Sequence, residues 1–317
     1  MDIIIMDLKN KVLNGEFINF QEALELSKTE DLEGLIKAAK EIKLKFNDNK
    51  VNLCTIVNAK SGKCSENCRF CAQSAYHKTD VKEYELIDSE KIIEDAKEKE
   101  RQGADSFSIV TSGKGLEDHD FDKVIEVIKT LKKETDLKVC GSFGVITHDK
   151  FLRLKEVGLE HYHHNLQTSE SYFKNIITTH SYEDRINTIK NAKKAGVGVC
   201  AGGIFGMGES PEDRIKMALE LRNLNVDNVP INILVPVKGT ALESVGVLKY
   251  DEILRYIAVY RFILPKTNLV FGAGREYIRG KEEEVLNAGI TSMITGTLLT
   301  IDGCEIEKDK RMVDSLL

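Results

Sequence analysis

No apolar run in the 317-residue chain approaches the ~18 residues of a membrane-spanning helix, so no span is expected. The opening residues, Met1-Asp2-Ile3-Ile4-Ile5-Met6-Asp7, have neither the basic stretch nor the long apolar stretch of a secretory signal. No Gly/Ser/Pro-rich linker or low-complexity segment interrupts the chain, which points to one domain. There is no basic–aromatic tract, and the formal charge of −6 weighs against nucleic acid as a partner. The seven cysteines are odd in number, and a chain this long buries a large core without disulfide staples. Together these features point to a soluble protein of a reducing compartment, the cytoplasm.

Three of the cysteines are crowded into Cys64-Ser65-Glu66-Asn67-Cys68-Arg69-Phe70-Cys71, a C-x3-C-x2-C spacing. A zinc knot needs a fourth ligand at finger-like spacing, and a four-iron cube held only by protein takes four cysteines. The next cysteine downstream is Cys140. Three thiolates in one short loop therefore point to a [4Fe–4S] cluster with one iron left open to bind a small molecule. The alternative is three unrelated buried thiols.

Residues 1–47 carry apolar residues at helical spacing among many Lys and Glu, and read as a helical cap. From residue 48 to 317 a different rhythm holds. Short β-branched runs at 51–57, 105–111, 137–143, 160–166, 196–201, 229–235, 268–273 and 289–294 alternate with amphipathic stretches near 88–102, 120–135, 147–157, 182–195, 211–224, 249–263 and 281–287. The last helix is expected only in the tail after Asp309. Gly103, Gly158, Gly196 and Gly289 stand where helix C-caps belong. Eight strand–helix units predict an α/β fold of parallel strands closed as a (β/α)8 TIM-type barrel. Such barrels place chemistry at the C-terminal ends of strands, and the three-cysteine loop follows the first. Cys54, Cys140 and Cys200 each end an apolar-x-apolar-Cys pattern in predicted strands one, three and five. Alternate strands share interior layers, so these thiols either converge on one point or are three small buried hydrophobes. Cys304 reads as an isolated thiol.

The cysteine spacing, with Phe70 just before the last thiol, resembles the radical S-adenosylmethionine superfamily. Further segments narrow the resemblance to the biotin synthase family over roughly residues 50–300: 58–74, 162–169, 175–179, 200–209, 229–232, 237–240 and 272–276. The resemblance implies that the first cluster and S-adenosylmethionine generate a 5′-deoxyadenosyl radical. That radical abstracts hydrogen from two unactivated carbons of dethiobiotin, and an auxiliary cluster supplies the sulfur that closes the ring. Cys64, Cys68, Cys71, Cys140 and Cys200 are implied as the catalytic cysteines. Phe70 is implied beside adenine and Arg185 on the methionine carboxylate. The set of contacts to S-adenosylmethionine is completed by His163, Gly203, Gly206, Glu209, Thr111 and Ser112. Asn165 and Asn232 would bind the ureido ring, to which an amide can both donate and accept. Thr300 would lie near the substrate carboxylate, with Ile301 where a second threonine is common. Reduced flavodoxin or ferredoxin as electron donor and a homodimer are likewise implied.

The sequence departs from the better-known form of the family, which holds a [2Fe–2S] auxiliary cluster with three cysteines and an arginine. Two of those positions fall on Ser108 and Val270, while Cys54 stands where that form has serine. Soft thiolates outrank a hydroxyl as ligands to iron–sulfur clusters. Cys54, Cys140 and Cys200 are thus expected to hold a four-iron auxiliary cluster of [4Fe–4S] or [4Fe–5S] type, in preference to a [2Fe–2S] cluster completed by Ser108. A rival within the superfamily is a barrel enzyme of the methylornithine synthase or hydrogenase-maturase kind. A more remote one is a non-catalytic iron–sulfur redox sensor.

Overall fold

The computed structural model describes residues 2–47, 50–300 and 303–315. The chain opens with α1 (Ile3–Leu13), α2 (Phe20–Lys28) and α3 (Leu32–Phe46). It continues through β1 (Asn52–Lys60), α4 (Ser89–Arg101), β2 (Ser106–Thr111), α5 (Asp118–Glu134), β3 (Lys138–Ser142), α6 (His148–Glu156) and β4 (His161–His163). Next come α7 (Glu170–Phe173), α8 (Tyr182–Lys194), β5 (Gly198–Cys200), β6 (Gly203–Phe205), α9 (Pro211–Asn223), β7 (Asn228–Ile233) and α10 (Tyr250–Ile263). The order closes with β8 (Asn268–Phe271), a 3-10 turn (Arg275–Ile278), α11 (Glu282–Asn287), β9 (Ser292–Ile294) and α12 (Ile306–Ser315). The expected division between a cap of 1–47 and a barrel of 48–317 falls at residue 48, which lies outside the described residues. Helices α2 and α3 pack outside the barrel, against α9, α10 and α11. Each has a side-chain cap: Asn19 and Glu22 form a capping box on α2, and Asp31 accepts from Gly34 N on α3.

All strand pairings between neighbouring strands are parallel, and β1 pairs with both β2 and β9, so the sheet closes. Outward-facing Leu53, Phe107, Val139, Tyr162, Val199, Val229, Leu269 and Met293 are all fully buried between strands and helices. Each contributes on the order of 1.5–3 kcal/mol of burial. Gly103, Gly158 and Gly196 take the left-handed conformation after α4, α6 and α8, as their cap positions require.

Three sequence expectations are corrected. The fifth strand, read as 196–201, is shortened to Gly198–Cys200, and Ala201-Gly202 separates it from β6, a strand not expected from the sequence. A Cβ on Gly202 would lie 1.9 Å from Pro230 O, so only glycine lets β7 come this close. Of the fourth strand, read as 160–166, only His161–His163 forms a continuous ladder, and the chain rejoins the sheet at a single parallel bridge between Gln167, at φ 73°, and Gly203. The last helix starts at Ile306, before Asp309, because Ile306 is itself buried against the barrel and Asp309 pairs with Arg275 at 2.9 Å.

The ladder register fixes what the interior holds. Cys54 pairs with Ser106 and Ser106 with Lys138, two residues before Cys140. Cys140 pairs with His161 and His161 with Gly198, two before Cys200. Cys200 pairs with Asn228 and Asn228 with Asn268, two before Val270. Val270 pairs with Ser292, two before Ile294, which pairs with Cys54. Four two-residue steps make a total stagger of eight, the value of a (β/α)8 barrel. Cys54, Cys140, Cys200 and Val270 therefore form one inward layer on alternate strands. By the same count Ser108, His163, Pro230 and Ile294 form the layer one residue closer to the strand C-termini.

One anchor ties the C-terminal side of β4 to α9. Asp213 Oδ1 accepts from Ser169 Oγ at 2.6 Å and Ser171 Oγ at 2.8 Å, and Oδ2 accepts from Ser210 Oγ at 2.7 Å. Burial works to raise the pKa of this carboxyl, but the serine donors outweigh it and hold the pKa down to about 2. A depressed folded pKa contributes stability above the ordinary value of 3.8, and that contribution is lost as pH falls through about 2. Asp213→Asn is expected to cost about 1–2 kcal/mol at pH 7. Urea denaturation at pH 7, 4 and 3 should show the gap to wild type narrowing toward acid; a constant gap would refute the assignment.

Candidate active site

The three-cysteine loop leaves the C-terminal end of β1 and is held on both sides. Within it, Cys64 N donates to Gln73 O at 3.0 Å, Ala75 N to Cys64 O at 2.9 Å and Cys71 N to Cys68 O at 3.0 Å. Across the barrel mouth, the connection from α7 to α8 grips the same loop. Asn67 Nδ2 donates to Thr178 Oγ1 at 2.6 Å, and Asn67 Oδ1 accepts from Thr178 N at 3.0 Å. Arg69 N donates to Ile176 O at 3.1 Å. Buried Glu66 accepts from Thr179 Oγ1 at 2.8 Å and pairs with His180 Nδ1. Sequence reading missed Glu66, Asn67 and His180 as fasteners; the only signal was the Thr178-Thr179 pair, noted for its resemblance alone.

All seven cysteines are free thiols. Burial pushes the Cys68 thiol up to about 12, with the Arg185 guanidinium pulling the other way, and burial also raises Cys71. Ionised thiols there need a neighbouring positive charge, which cluster iron supplies. Arg185 is buried, not a solvated helix charge. Its Nη1 donates to Asn165 O at 2.7 Å, while its buried Nε has no hydrogen-bond partner among the described residues.

Phe70 and Cys71 sit at the rim of a cavity of about 300 Å³ that reaches down the barrel past Asn165, Asn232 and Thr300 to Ser108 and His163. It thus joins residues predicted for the cofactor with those predicted for the substrate. Asn165 Oδ1 accepts from Gly202 N at 3.0 Å. Asn232 is braced by Ala273 N at 3.0 Å and Gly203 O at 3.1 Å, keeping one N–H and one lone pair in reserve. Asn58 Nδ2 donates to Leu299 O at 3.0 Å, fixing the segment that ends at Thr300; Ile301 lies outside the described residues. The buried Gln167 Oε1, in the cavity wall, has no hydrogen-bond partner among the described residues. A buried acceptor left open this way calls for a ligand donor, and sequence reading did not single Gln167 out.

Six predicted cofactor contacts, Arg185, Gly203, Gly206, Glu209, Thr111 and Ser112, stand outside the cavity wall. Glu209 is engaged within the chain: it accepts from Gly206 N at 2.8 Å, Met207 N at 2.7 Å and Arg214 Nε at 2.6 Å, shaping the glycine-rich loop. Gly206 takes φ 94° in that loop. Ser112 Oγ donates to Gly62 O at 2.8 Å, tying β2 to the cysteine loop, and Thr111 Oγ1 reaches Ser142 O at 3.4 Å. Gly203 also serves close packing, since a Cβ there would lie 2.4 Å from Met217 Sδ. His163 Nε2 is 3.0 Å from Ser108 Oγ, and burial holds its pKa down to about 4, so the ring is neutral at physiological pH.

Beneath His163 and Ser108 lies the cysteine layer. Cys140 and Cys200 are each 5% exposed and Cys54 is half-buried. Burial raises all three thiols; Cys54 raises Cys140 further, and Cys140 and Cys54 together raise Cys200. This mutual opposition is what thiols facing one another across a barrel produce. Val270, 4% exposed, fills the fourth position. No group of three or more His, Cys, Asp or Glu among the described residues is arranged to hold a single metal ion. What the fold does supply is the donor chemistry: Cys64, Cys68 and Cys71 share one loop, and Cys54, Cys140 and Cys200 share one inward layer, and thiolates are the ligands that iron–sulfur clusters take.

No helix among the described residues is long and apolar enough to cross a membrane. Residues 59–221 match the radical SAM superfamily profile and residues 230–316 the biotin and thiamin synthesis associated domain. The chain is 48% identical to a biotin synthase of Clostridioides difficile (strain 630), over 99% of this chain and 98% of that one. It is 46% identical to one of Clostridium tetani (strain Massachusetts / E88), over 100% and 98%. Among solved structures, methylornithine synthase superposes with a TM-score of 0.83 at 22% identity, covering 98% of this chain and 95% of that chain. A maturase of the [FeFe]-hydrogenase superposes at 0.84 with 18% identity, covering 99% and 74%. These two share the barrel; the sequence relatives share the whole length and, with it, the family. The chain belongs to the biotin synthase family of the radical SAM superfamily.

Proposed function

We propose that the chain converts dethiobiotin to biotin. The observation that carries this reading is one cavity with a three-cysteine loop at its rim and an inward three-cysteine layer below its floor. When bound, the first cluster with S-adenosylmethionine supplies a radical able to take hydrogen from unactivated carbon, and the auxiliary cluster supplies sulfur. The chain's own residues supply position. Cys64, Cys68 and Cys71 hold the first cluster, Arg185 pairs with the methionine carboxylate, and Phe70 lies beside adenine. The backbone of Gly203 and Gly206, shaped by Glu209, approaches the nucleoside, with Thr111 and Ser112 bracing the opposite strand end. Asn165 and Asn232 offer amides to the ureido ring, and Thr300 offers a hydroxyl to the carboxylate. His163 stays neutral between cavity and cysteine layer, so it adds no charge there.

Cys54, Cys140 and Cys200 fill three of the four places in their layer, and Val270, in the fourth, cannot ligate. This favours a four-iron auxiliary cluster of [4Fe–4S] or [4Fe–5S] type over a [2Fe–2S] one. Reduced flavodoxin or ferredoxin as electron donor, a homodimer and a cytoplasmic location complete the proposal. The test is iron and sulfide content with Mössbauer spectra on reconstituted wild type and Cys54→Ala, together with dethiobiotin-dependent cleavage of S-adenosylmethionine. About eight irons falling to about four in the variant is the expected result. About six irons with a [2Fe–2S] signal indifferent to Cys54 would overturn the auxiliary assignment, and cleavage indifferent to dethiobiotin would overturn the substrate.

A further inference from the structure

The residue before each member of the cysteine layer makes the same reciprocal pair of hydrogen bonds at the N-terminal end of the barrel. Leu53 N donates to Asp105 Oδ2 at 2.8 Å, and Asp105 N returns a bond to Leu53 O at 2.9 Å. Val139 N donates to Glu160 Oε2 at 2.5 Å, and Glu160 N to Val139 O at 3.0 Å. Val199 N donates to Asp227 Oδ2 at 2.7 Å, and Asp227 N to Val199 O at 3.1 Å. The fourth repeat, before Val270, has the same geometry with a neutral partner: Leu269 N donates to Thr291 Oγ1 at 3.0 Å and Thr291 N to Leu269 O at 2.9 Å. Each clamping side chain is the last residue before the neighbouring strand.

The acids thus coincide with the cysteines. Where the layer holds a thiol the clamp is a carboxylate, and where it holds valine the clamp is a hydroxyl. A backbone clamp alone does not need charge, as Thr291 demonstrates. Each carboxylate is bonded to the peptide N–H of the residue directly before a thiol of the layer, so each charge stands one residue from a proposed ligand. Lys50 stands 3.2 Å from Asp105 Oδ1 and Lys132 2.8 Å from Glu160 Oε1, each on the oxygen not used by the clamp.

We propose that Asp105, Glu160 and Asp227 are positioning residues for the auxiliary cluster. Each anchors the peptide that carries one thiolate ligand, and the three charges together hold the cluster's reduction potential low. Charge-assisted hydrogen bonds are the stronger anchors, and outer partners of metal ligands tune both affinity and electronics. A low potential keeps electrons delivered to the first cluster from being diverted into the sulfur donor. The inference rests on the proposal that Cys54, Cys140 and Cys200 bind that cluster.

The experiment uses the anaerobically reconstituted holoenzyme. Asp105→Asn, Glu160→Gln and Asp227→Asn, singly and combined, keep an accepting oxygen and remove the charge; Asp105→Ala, Glu160→Ala and Asp227→Ala remove the clamp. Thr291→Val is the control for losing a clamp of equal geometry. In a redox titration followed by EPR, the amide variants are expected to shift the auxiliary potential positive and leave the first cluster's unchanged. The alanine variants are expected to lose auxiliary iron to a chelator about ten-fold faster than Thr291→Val does. An unshifted potential in the triple amide variant overturns the electrostatic role, and iron loss no faster than in Thr291→Val overturns the anchoring role. Cys54→Ala and Cys140→Ala run in parallel separate the two levels. If these keep the auxiliary iron, the three-cysteine reading itself is wrong; if they lose it while every carboxylate variant is silent, only this inference is.

Discussion

Cys68→Ala should lower S-adenosylmethionine cleavage by at least about four orders of magnitude, the scale seen when one member of a unit that acts together is removed. In the proposed assignment the three thiolates are the protein's whole share of the first cluster, so two remaining ligands cannot be backed up from elsewhere in the loop. Cys68 is also the thiol whose ionisation Arg185 favours. The variant therefore loses a proposed ligand and the thiol most closely coupled to that buried guanidinium. The check is 5′-deoxyadenosine formation by chromatography alongside iron content. The fold should survive, because the loop is still stitched to residues 176–179 by Asn67 and Arg69. A residual rate within about a hundredfold of wild type would sink the assignment of this loop.

The second large effect concerns stability and lies far from the chemistry. Arg261 is 0% exposed and has no carboxylate partner among the described residues; its guanidinium is spent on carbonyls. Nε and Nη2 donate to Gly289 O at 3.1 and 2.7 Å. Nη1 donates to Leu264, Pro265 and Thr267 O at 3.0, 3.1 and 2.8 Å. These bonds close the C-terminal end of α10, the turn into β8 and the approach to β9 around one side chain. Burial alone pushes its pKa down to about 9, yet the group stays cationic at neutral pH. Arg261→Ala leaves those carbonyls without donors and opens a cavity, each orphaned group costing about 1–3 kcal/mol. The total should exceed ~4 kcal/mol, the range reserved for broken buried networks. An apparent melting midpoint roughly 10 °C lower follows, and a change within about 2 °C would show the network to be dispensable.

The Cys64–Cys71 spacing was legible without coordinates, because a cluster-binding loop draws its ligands from one short segment. So was the barrel: each strand and helix carries its own periodicity, and eight repeats leave little choice of topology. The break after Cys200 was not, since the cause is Pro230 O on another strand, 1.9 Å from where a Cβ on Gly202 would stand. Arg185 had the sequence surroundings of a solvated helix charge, Glu183-Asp184-Arg185, and only the fold buries it. His180 is separated from Glu66 by more than a hundred residues, and no local pattern marks the pair.

The amino-acid sequence by itself determined the fold class, the family and which cysteines belong together as a loop, since each depends on residues near one another in the chain. It left open whether Cys54, Cys140 and Cys200 meet. That question turns on stagger, a property of the closed ladder as a whole, and the four two-residue steps settle it by placing them in one layer with Val270. The same holds for the clamps of Asp105, Glu160 and Asp227. Each is an ordinary acid before a strand until parallel pairing sets it against the peptide of a cysteine, because hydrogen bonds between neighbouring strands join residues the chain keeps tens of positions apart.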